Sequence, residues 1–328
     1  MKICFYALRE FDELEFCKKY SEEYNIDFVY TTEYPNEENA ALAKGCDAIS
    51  ATPCDMSAKM VEIFNNYGVK YITCRSIGYD HVDLAKAKEL GMRVSNVCYP
   101  SEGVADYAIM LMLMCLRNFS HVLKRSELQD YTLKGKIGHS MTTRTVGIIG
   151  MGRIGSTVAK QLQGFGCKIL AYDPYINEEM KGIVEYVDLD TLYANSDIIT
   201  LHTNATEENY HMICKESIAK MKDGVIIINT SRGKLINSKE LITEILNGKV
   251  GAVALDVLEN ENGLYYCNNI GKVMDNMELA ILRSLPNVIL SPHTAFYTYE
   301  NIADMVKGCY EAVAAFGAGE NTFHEICI

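Results

Sequence analysis

TVGIIGMGRIG, at residues 145–155, is the most informative segment of the chain. An apolar run of β type leads into it, and a helical pattern over 154–165 leads out. Strand, glycine-rich turn and helix in that order are typical of a dinucleotide-binding βαβ unit. The glycines of G-x-G-x-x-G, Gly150, Gly152 and Gly155, allow a tight turn, close approach of a pyrophosphate, and close helix–sheet contact. The N–H groups at the helix start favour phosphates.

An acidic residue follows the next predicted strand, 168–172, at the spacing expected for the group that binds the adenosine ribose. This residue is Asp173, whose carboxylate would accept hydrogen bonds from both ribose hydroxyls and repel a 2′-phosphate. No Lys or Arg lies between it and Lys181. The alternative is a solvated aspartate at a strand end. We predict an NAD(H) site that also uses Arg153 and Ile154, at the helix start.

Alternating strands and helices extend on both sides of this segment. The predicted strands of the later series are 145–149, 168–172, 197–202, 225–229, 252–256 and 288–291. The first hundred residues contain predicted strands 3–8, 28–31, 48–52 and 71–74, with helices 13–24, 37–44, 58–66 and 83–90. Strands separated by helices imply βαβ units and parallel sheets. The fold class is therefore α/β, with doubly wound, Rossmann-like parallel sheets.

Charge and composition exclude several classes of protein. The 328 residues include 31 Lys and Arg against 43 Asp and Glu, a formal net charge of −12. Such acidity argues against binding to nucleic acid or to anionic membranes. No apolar run reaches the ~20 residues needed to span a bilayer, and Arg9 and Glu10 interrupt any signal-peptide core. We expect a soluble, cytoplasmic protein.

The twelve cysteines are scattered, with no C-x-x-C pair, and the histidines form no zinc pattern. Reduced packing cysteines and no metal site are expected. A long apolar helix over 102–118 is apolar nearly all round from 108 to 116. Such a helix is either a core helix or an oligomer interface, and the sequence leaves both open.

Four further motifs identify the chemistry. They are RSIGYDHVD at 75–83, NTSRG at 229–233, DVLENE at 256–261 and SPHTAFYT at 291–298. Together with the mid-chain glycine motif, they resemble the signatures of the NAD-dependent D-2-hydroxyacid dehydrogenases. HTAFYT is most similar to the D-lactate dehydrogenase branch, and GVADYAIMLMLM (103–114) and GFGCKILAY (164–172) resemble the vancomycin-resistance dehydrogenases that form D-lactate. The resemblance covers essentially the whole chain.

Ketone reduction needs a proton donor, and His293 is the candidate because an imidazolium donates near neutral pH. The resemblance assigns the supporting carboxylate to Glu261. Arg232 offers a planar fork for the carboxylate and carbonyl of a 2-keto acid. Taken singly, each of these residues has an ordinary alternative. Arg232 could be a surface charge, Glu261 a solvated acid, and His293 a histidine that packs against a loop.

The resemblance implies further contacts. Backbone N–H groups at Ile77 and Gly78 would bind the substrate carboxylate, and Tyr99 would line the site. This chain reads Tyr-Pro-Ser from Tyr99 where relatives commonly read Tyr-Ser-Pro. Asp256 would contact the nicotinamide carboxamide. The other predicted cofactor-binding residues are Thr203, Asn204 and Thr230.

The resemblance implies two domains, with the active site in the cleft between them. A discontinuous substrate domain would comprise 1–99 and 299–328, and an NAD-binding domain 100–298. Related enzymes dimerise through the helix equivalent to 102–118, so a homodimer is expected.

The predicted reaction is NADH-dependent reduction of a 2-keto acid to the (R)-2-hydroxy acid. The first expected substrate is pyruvate, which would give D-lactate. An enzyme for bulkier acids such as 2-hydroxyisocaproate or phenyllactate is an alternative, since Thr52 stands where lactate-forming relatives can carry a bulky aromatic. A non-catalytic, corepressor-like NAD(H) sensor is a third reading. It would need an exposed peptide groove or long disordered tails, which the sequence does not indicate.

Overall fold

The computed structural model describes residues 1–261, 263–322 and 324–326. The chain divides into two compact units. One unit comprises Met1–Pro100 together with Tyr297–Ile328, and the other comprises Ser101–Phe296. Each unit contains its own parallel β-sheet, which confirms the predicted α/β class. Among the described residues, no helix is both long enough and apolar enough to cross a bilayer.

The first unit is built on a sheet of five described strands in the order β2-β1-β3-β4-β5, all parallel. Its strands are β1 (Lys2–Phe5), β2 (Asp27–Tyr30), β3 (Ala48–Ala51), β4 (Tyr71–Cys74) and β5 (Arg93–Ser95), and its first helices are α1 (Leu14–Tyr24), α2 (Ala58–Asn66) and α3 (Leu84–Glu89). The helix predicted at 37–44 is wrong, because only a 3₁₀ turn forms there, at Ala40–Ala43.

The second unit contains a sheet in the order β12-β11-β10-β9-β6-β7-β8, again parallel throughout. Its elements are α4 (Glu102–Leu116), α5 (Phe119–Glu127), β6 (Thr145–Ile149), α6 (Arg153–Leu162), β7 (Lys168–Tyr172), β8 (Glu185–Tyr186), α7 (Leu189–Asn195), β9 (Ile198–Leu201), α8 (Lys215–Lys220), β10 (Val225–Asn229), α9 (Ser238–Leu246), β11 (Val250–Leu255), α10 (Met277–Ser284) and β12 (Val288–Leu290). The last helix, α11 (Tyr299–Gly317), belongs to the first unit.

Burial explains why the central strands of the second sheet, β9 and β10, are largely apolar. All five residues of β10 and all four of β9 are buried, as expected for parallel strands covered on both faces. The described sheet has seven strands where the sequence predicted six, since the two-residue β8 joins its edge. The glycine turn follows the end of β6 and therefore lies at the carboxyl edge of the sheet, where doubly wound sheets bind ligands.

Helix α4 is largely absorbed by the core of the second unit. Eight of its fifteen residues are buried, and seven of them form one apolar cluster with residues of β6, α6 and β11. Met110 remains 41% exposed. It lies beside Asp106, Ile109 and Leu113 of the same helix, with Gln161 and Phe165, around a shallow cavity of about 330 Å³. The helix is therefore both a core element and the source of an apolar surface.

Candidate active site

The glycine turn between β6 and α6 has the geometry of a phosphate cradle. A Cβ on Gly155 would lie 1.9 Å from the carbonyl oxygen of Gly150, so only glycine allows the helix to approach the turn this closely. A Cβ on Gly152 would meet nothing within 4 Å, which leaves open space at the start of α6. Free N–H groups at a helix start attract phosphates, so this turn fits the pyrophosphate of a dinucleotide.

Asp173 follows β7 and is hydrogen-bonded to the glycine turn. Its Oδ2 accepts from the backbone N–H of Met151 at 2.7 Å, and its Oδ1 accepts from Tyr175 N–H at 2.8 Å. A carboxylate has about four acceptor sites, so lone pairs remain for ribose hydroxyls. The two backbone bonds fix this carboxylate beside the segment that would bind the pyrophosphate.

Two more of the predicted cofactor residues lie in the turn after β9. Thr203 and Asn204 follow the strand, and Asn209 Nδ2 donates to Asn204 O at 2.7 Å. Next to them, the Nε2 of His202 lies 2.9 Å from the hydroxyl of Thr200. Burial lowers the pKa of His202 to about 3. The imidazole is therefore neutral at physiological pH.

Thr230 follows β10 and has a buried hydroxyl whose Oγ1 finds no hydrogen-bond partner among the described residues. An unpaired buried hydroxyl is costly. A polar ligand group that pairs with it would therefore be favoured, which fits its predicted contact with the cofactor.

Arg232 lies in the turn that follows β10. The buried side chain of Asn229 braces this turn, accepting from Ser231 N–H at 3.0 Å and donating to Arg232 O at 2.9 Å. A Cβ on Gly233 would lie 2.0 Å from the carbonyl carbon of Leu258. Glycine at this position therefore lets the arginine turn pack against the segment that leads to Glu261.

Glu261 and His293 form a hydrogen-bonded pair. His293 Nδ1 lies 2.6 Å from Glu261 Oε1, and Leu258 N–H donates to Glu261 Oε2 at 2.9 Å. A carboxylate only accepts, so Nδ1 is the donor, and Nε2 is left for a substrate. The backbone bond from Leu258 orients the carboxylate, which in turn orients the ring.

Asp256 holds the loop that carries His293. It follows β11 and is fully buried. Its Oδ1 accepts from Ser291 Oγ at 2.6 Å and from Thr294 N–H at 2.9 Å, while its Oδ2 accepts from Ala295 N–H at 2.8 Å. The sequence did not predict this role. The predicted contact of Asp256 with the nicotinamide carboxamide stays a prediction.

The strand order brings these groups to one edge of the sheet. β10, β11 and β12 are neighbours and parallel, so their carboxyl ends, which precede Arg232, Asp256 and His293, lie side by side. Glu261 joins them through its bond to His293. The remaining cofactor candidates follow β6, β7 and β9 of the same sheet. Arg153 is exposed and Ile154 is half-buried at the start of α6.

The predicted substrate residues of the first unit lie in two loops. Asn96 Nδ2 donates to Ile77 O at 2.7 Å, and Ser76 Oγ donates to Gly78 O at 2.6 Å, which shapes the turn after β4. Tyr99 is buried, in the segment after β5. Their contacts with substrate stay predictions.

A cluster that the sequence reasoning missed lies beside the Glu261 segment. Glu259 Oε1 accepts from Tyr210 Oη and pairs with His211 Nε2, both at 3.0 Å. The pairing depends on two distant loops meeting, so no local pattern signals it. A second cluster places potential metal-ligand atoms of Cys214, Glu216 and Glu240 within 4.8 Å of one another. The expectation of no metal site stays a prediction.

Comparison with known proteins gives consistent likenesses. Residues 109–295 match the family model described as D-isomer specific 2-hydroxyacid dehydrogenase, NAD binding domain. The chain is 42% identical to an aromatic 2-oxoacid reductase of Clostridium sporogenes over 94% of its length and 93% of the relative. It is 35% identical to the D-lactate dehydrogenase of Escherichia coli, over 99% of its own length and 100% of the relative. A solved D-2-hydroxyisocaproate dehydrogenase superposes with a TM-score of 0.89 at 32% identity, covering 99% of both chains.

Proposed function

Because the chain belongs to the D-isomer-specific 2-hydroxyacid dehydrogenases, we propose that it reduces 2-keto acids to D-2-hydroxy acids with NADH. Membership makes it an oxidoreductase that acts on CH–OH groups with NAD. The observation that carries the proposal is the 2.6 Å bond between His293 and Glu261, at the edge of the sheet that holds Arg232 and the glycine turn.

The residues have distinct parts in the proposed reaction. Arg232 binds the carboxylate and carbonyl oxygen of the keto acid, because its fork makes two charge-assisted hydrogen bonds. The backbone N–H groups of Ile77 and Gly78 are proposed to share the carboxylate. Bound NADH supplies the hydride that adds to the carbonyl carbon.

His293 supplies the proton. Its Nε2 donates to the carbonyl oxygen as negative charge develops there, and the neutral imidazole is left on the enzyme. The carboxylate of Glu261 accepts from Nδ1 and holds the ring, which leaves Nε2 for the carbonyl oxygen. Overall, keto acid, NADH and one proton become hydroxy acid and NAD⁺.

The groups proposed to hold the cofactor are those that the sequence predicted. Gly150, Gly152 and Gly155 cradle the pyrophosphate with Arg153 and Ile154, and Asp173 binds the ribose. Thr203, Asn204, Thr230 and Asp256 are proposed to contact the rest of the dinucleotide. The open space at Gly152 and the unpaired Thr230 hydroxyl support this assignment.

Pyruvate is the first proposed substrate, and larger keto acids are proposed as alternatives. Thr52 follows β3 and is half-buried. A threonine at this position leaves more room than an aromatic ring. The names of the Clostridium sporogenes relative and of the solved isocaproate enzyme support larger substrates as well.

One experiment tests the function directly. NADH oxidation is measured with pyruvate, 2-ketobutyrate, 2-ketoisocaproate, phenylpyruvate and oxaloacetate, and each product is resolved by chiral chromatography. We expect D-hydroxy acids only. An L-product, or no turnover with any of the acids, would contradict the proposal.

We also propose a homodimer formed through α4. Its exposed Met110 and the neighbouring shallow cavity supply an apolar contact. Phe119 and Leu123 of the following helix α5 are also apolar and are each more than two-fifths exposed. Sedimentation of the full chain at micromolar concentration should give twice its 36.7 kDa mass. Met110→Glu should yield monomer, and a wild type that sediments only as monomer would contradict the proposal.

A cytoplasmic location completes the proposal. All eleven cysteines in the described part of the chain are free, as expected in a reducing compartment. Cys327 lies outside the described residues. Cell fractionation, with activity recovered in the cytosolic fraction, is the corresponding test.

A further inference from the structure

The segment between β11 and α10 reaches across to the loop that carries His293. In this segment, the hydroxyl of Tyr266 donates to the backbone carbonyl of His293 at 2.7 Å. The two ring centroids are 6.2 Å apart. The phenol thus contacts the backbone of His293, whose imidazole forms the pair with Glu261.

The backbone of His293 is in an unusual conformation. Its φ is +52°, in the left-handed region that non-glycine residues rarely adopt. Such a conformation persists only where the surroundings fix it. The N–H of His293 is held by Asp256 O at 2.7 Å, which fixes the peptide on its amino side.

The peptide unit that follows His293 is held at both ends. Its carbonyl accepts from Tyr266, and its N–H, which belongs to Thr294, donates to Asp256 Oδ1 at 2.9 Å. These two bonds fix the plane of this peptide and so the ψ angle of His293. Because the direction of the Cα–Cβ bond follows from the backbone, they also fix the direction in which the His293 side chain leaves the chain toward Glu261.

We propose that Tyr266 is a positioning residue for the reduction, keeping the His293 imidazole on Glu261 by holding the His293 carbonyl. The inference rests on the proposed function, in which His293 is the proton donor. Tyr266 acts through the backbone and does not touch the reacting atoms. Tyr266 is 62% exposed, so removal of its hydroxyl leaves no cavity in the core.

The neighbouring tyrosine provides a matched control. The hydroxyl of Tyr265 is buried and has no hydrogen-bond partner among the described residues. Tyr265→Phe and Tyr266→Phe therefore remove the same atom from adjacent residues, but only the second change breaks the hydrogen bond to the His293 carbonyl. Removing an unpaired hydroxyl is expected to leave stability unchanged or raise it.

The kinetic test compares these two variants with the parent enzyme. Tyr266→Phe should lower kcat about threefold to tenfold, as expected for the loss of one hydrogen bond. The Kd for NADH and the KM for the keto acid should change less than about twofold, because neither binding group is altered. Tyr265→Phe should match the parent. An unchanged kcat in Tyr266→Phe, or equal losses in the two variants, would overturn the proposal.

A spectroscopic test needs neither substrate nor cofactor. The short Nδ1–Oε1 bond should give a downfield imidazole proton resonance in ¹H NMR of the free protein, assigned by its loss in Glu261→Gln. Tyr266→Phe should broaden or shift it, and Tyr265→Phe should not. An unchanged resonance in Tyr266→Phe would overturn the proposal. Since this result does not depend on turnover, it stands apart from a failure of the wild type to reduce any keto acid.

Discussion

His293 and Glu261 are 32 residues apart in sequence, yet their side chains meet at 2.6 Å. Glu261 lies six residues beyond the end of β11, and His293 lies three residues beyond the end of β12. Because these two strands are parallel neighbours, their carboxyl ends lie side by side and the two side chains can meet. One carboxylate oxygen holds the imidazole and the other is held by the backbone of Leu258. The pair is therefore oriented before any substrate binds.

Replacement of His293 tests the proton donor. His293→Ala should lower kcat by about 10²- to 10⁴-fold, the usual contribution of general acid catalysis. Glu261→Gln should cause a smaller loss, because an amide oxygen still accepts from Nδ1 but carries no charge. NADH binding, followed by fluorescence, should be unchanged in both variants. Near-normal turnover in His293→Ala would show that the assigned donor is wrong.

Replacement of Arg232 tests substrate binding. Arg232→Ala should raise the KM for the keto acid strongly and also slow turnover. Arg232→Lys keeps the charge but loses the fork, so kcat/KM should still fall more than about tenfold. The Kd for NADH should not change in either variant. Steady-state kinetics of the lysine variant that match wild type would exclude a bidentate contact.

Asp173 should make NADH preferred over NADPH, because a 2′-phosphate would add negative charge beside its carboxylate. Asp173→Ala should narrow this preference mainly by weakening NADH. The variant also loses the hydrogen bond from Met151 N–H, so both cofactors should bind less tightly to the variant than to wild type. The measurement is kcat/KM for each cofactor. Equal wild-type efficiency with NADH and NADPH would contradict the assignment.

The sequence predicts those parts of the fold that depend on local patterns. The strands 145–149, 168–172 and 225–229 match β6, β7 and β10, because buried parallel strands are continuous apolar runs. At 37–44, the side chains of Asn36 and Asn39 bind nearby backbone N–H groups, which competes with a helix. The short strand β5 carries too few residues to show a period.

In the candidate site too, the sequence predicts which residues stand at strand ends, but it does not predict the contacts between distant segments. Asp256 is recognisable at a strand end, but its bonds to Ser291, Thr294 and Ala295 depend on a loop folding back from the next strand. The contact of Tyr266 with His293 likewise joins an irregular segment to that loop. Sequence spacing therefore identifies the side chains that lie at the edge of the sheet. Which of these side chains hold the His293 loop in place depends on tertiary contacts, which the spacing does not show.

His202 should make stability depend on pH. Its folded pKa of about 3 lies below the unfolded value of about 6.5, so the unfolded chain binds more protons between these values. Stability from this residue is therefore complete above pH 6.5 and is lost as pH falls toward 3, by about 1.4 kcal/mol per unit. Urea unfolding of wild type and His202→Asn at pH 7.5, 6.5 and 5.5, at one protein concentration, measures this. If the free energy of unfolding fell equally with pH in wild type and in His202→Asn, the assignment of this pH dependence to His202 would be contradicted.

Thr52 should set an open substrate pocket. A threonine in place of an aromatic ring leaves room for several methylenes, each worth ~0.8 kcal/mol when buried. Activity on 2-ketoisocaproate or phenylpyruvate should then lie within about tenfold of that on pyruvate, a difference of ~1.4 kcal/mol in transition-state binding. Thr52→Tyr should depress kcat/KM for the larger acids selectively, while Thr52→Ser, which keeps the small side chain, should not. A wild type that reduces pyruvate and ignores every larger keto acid would contradict the open pocket and indicate a strict D-lactate dehydrogenase.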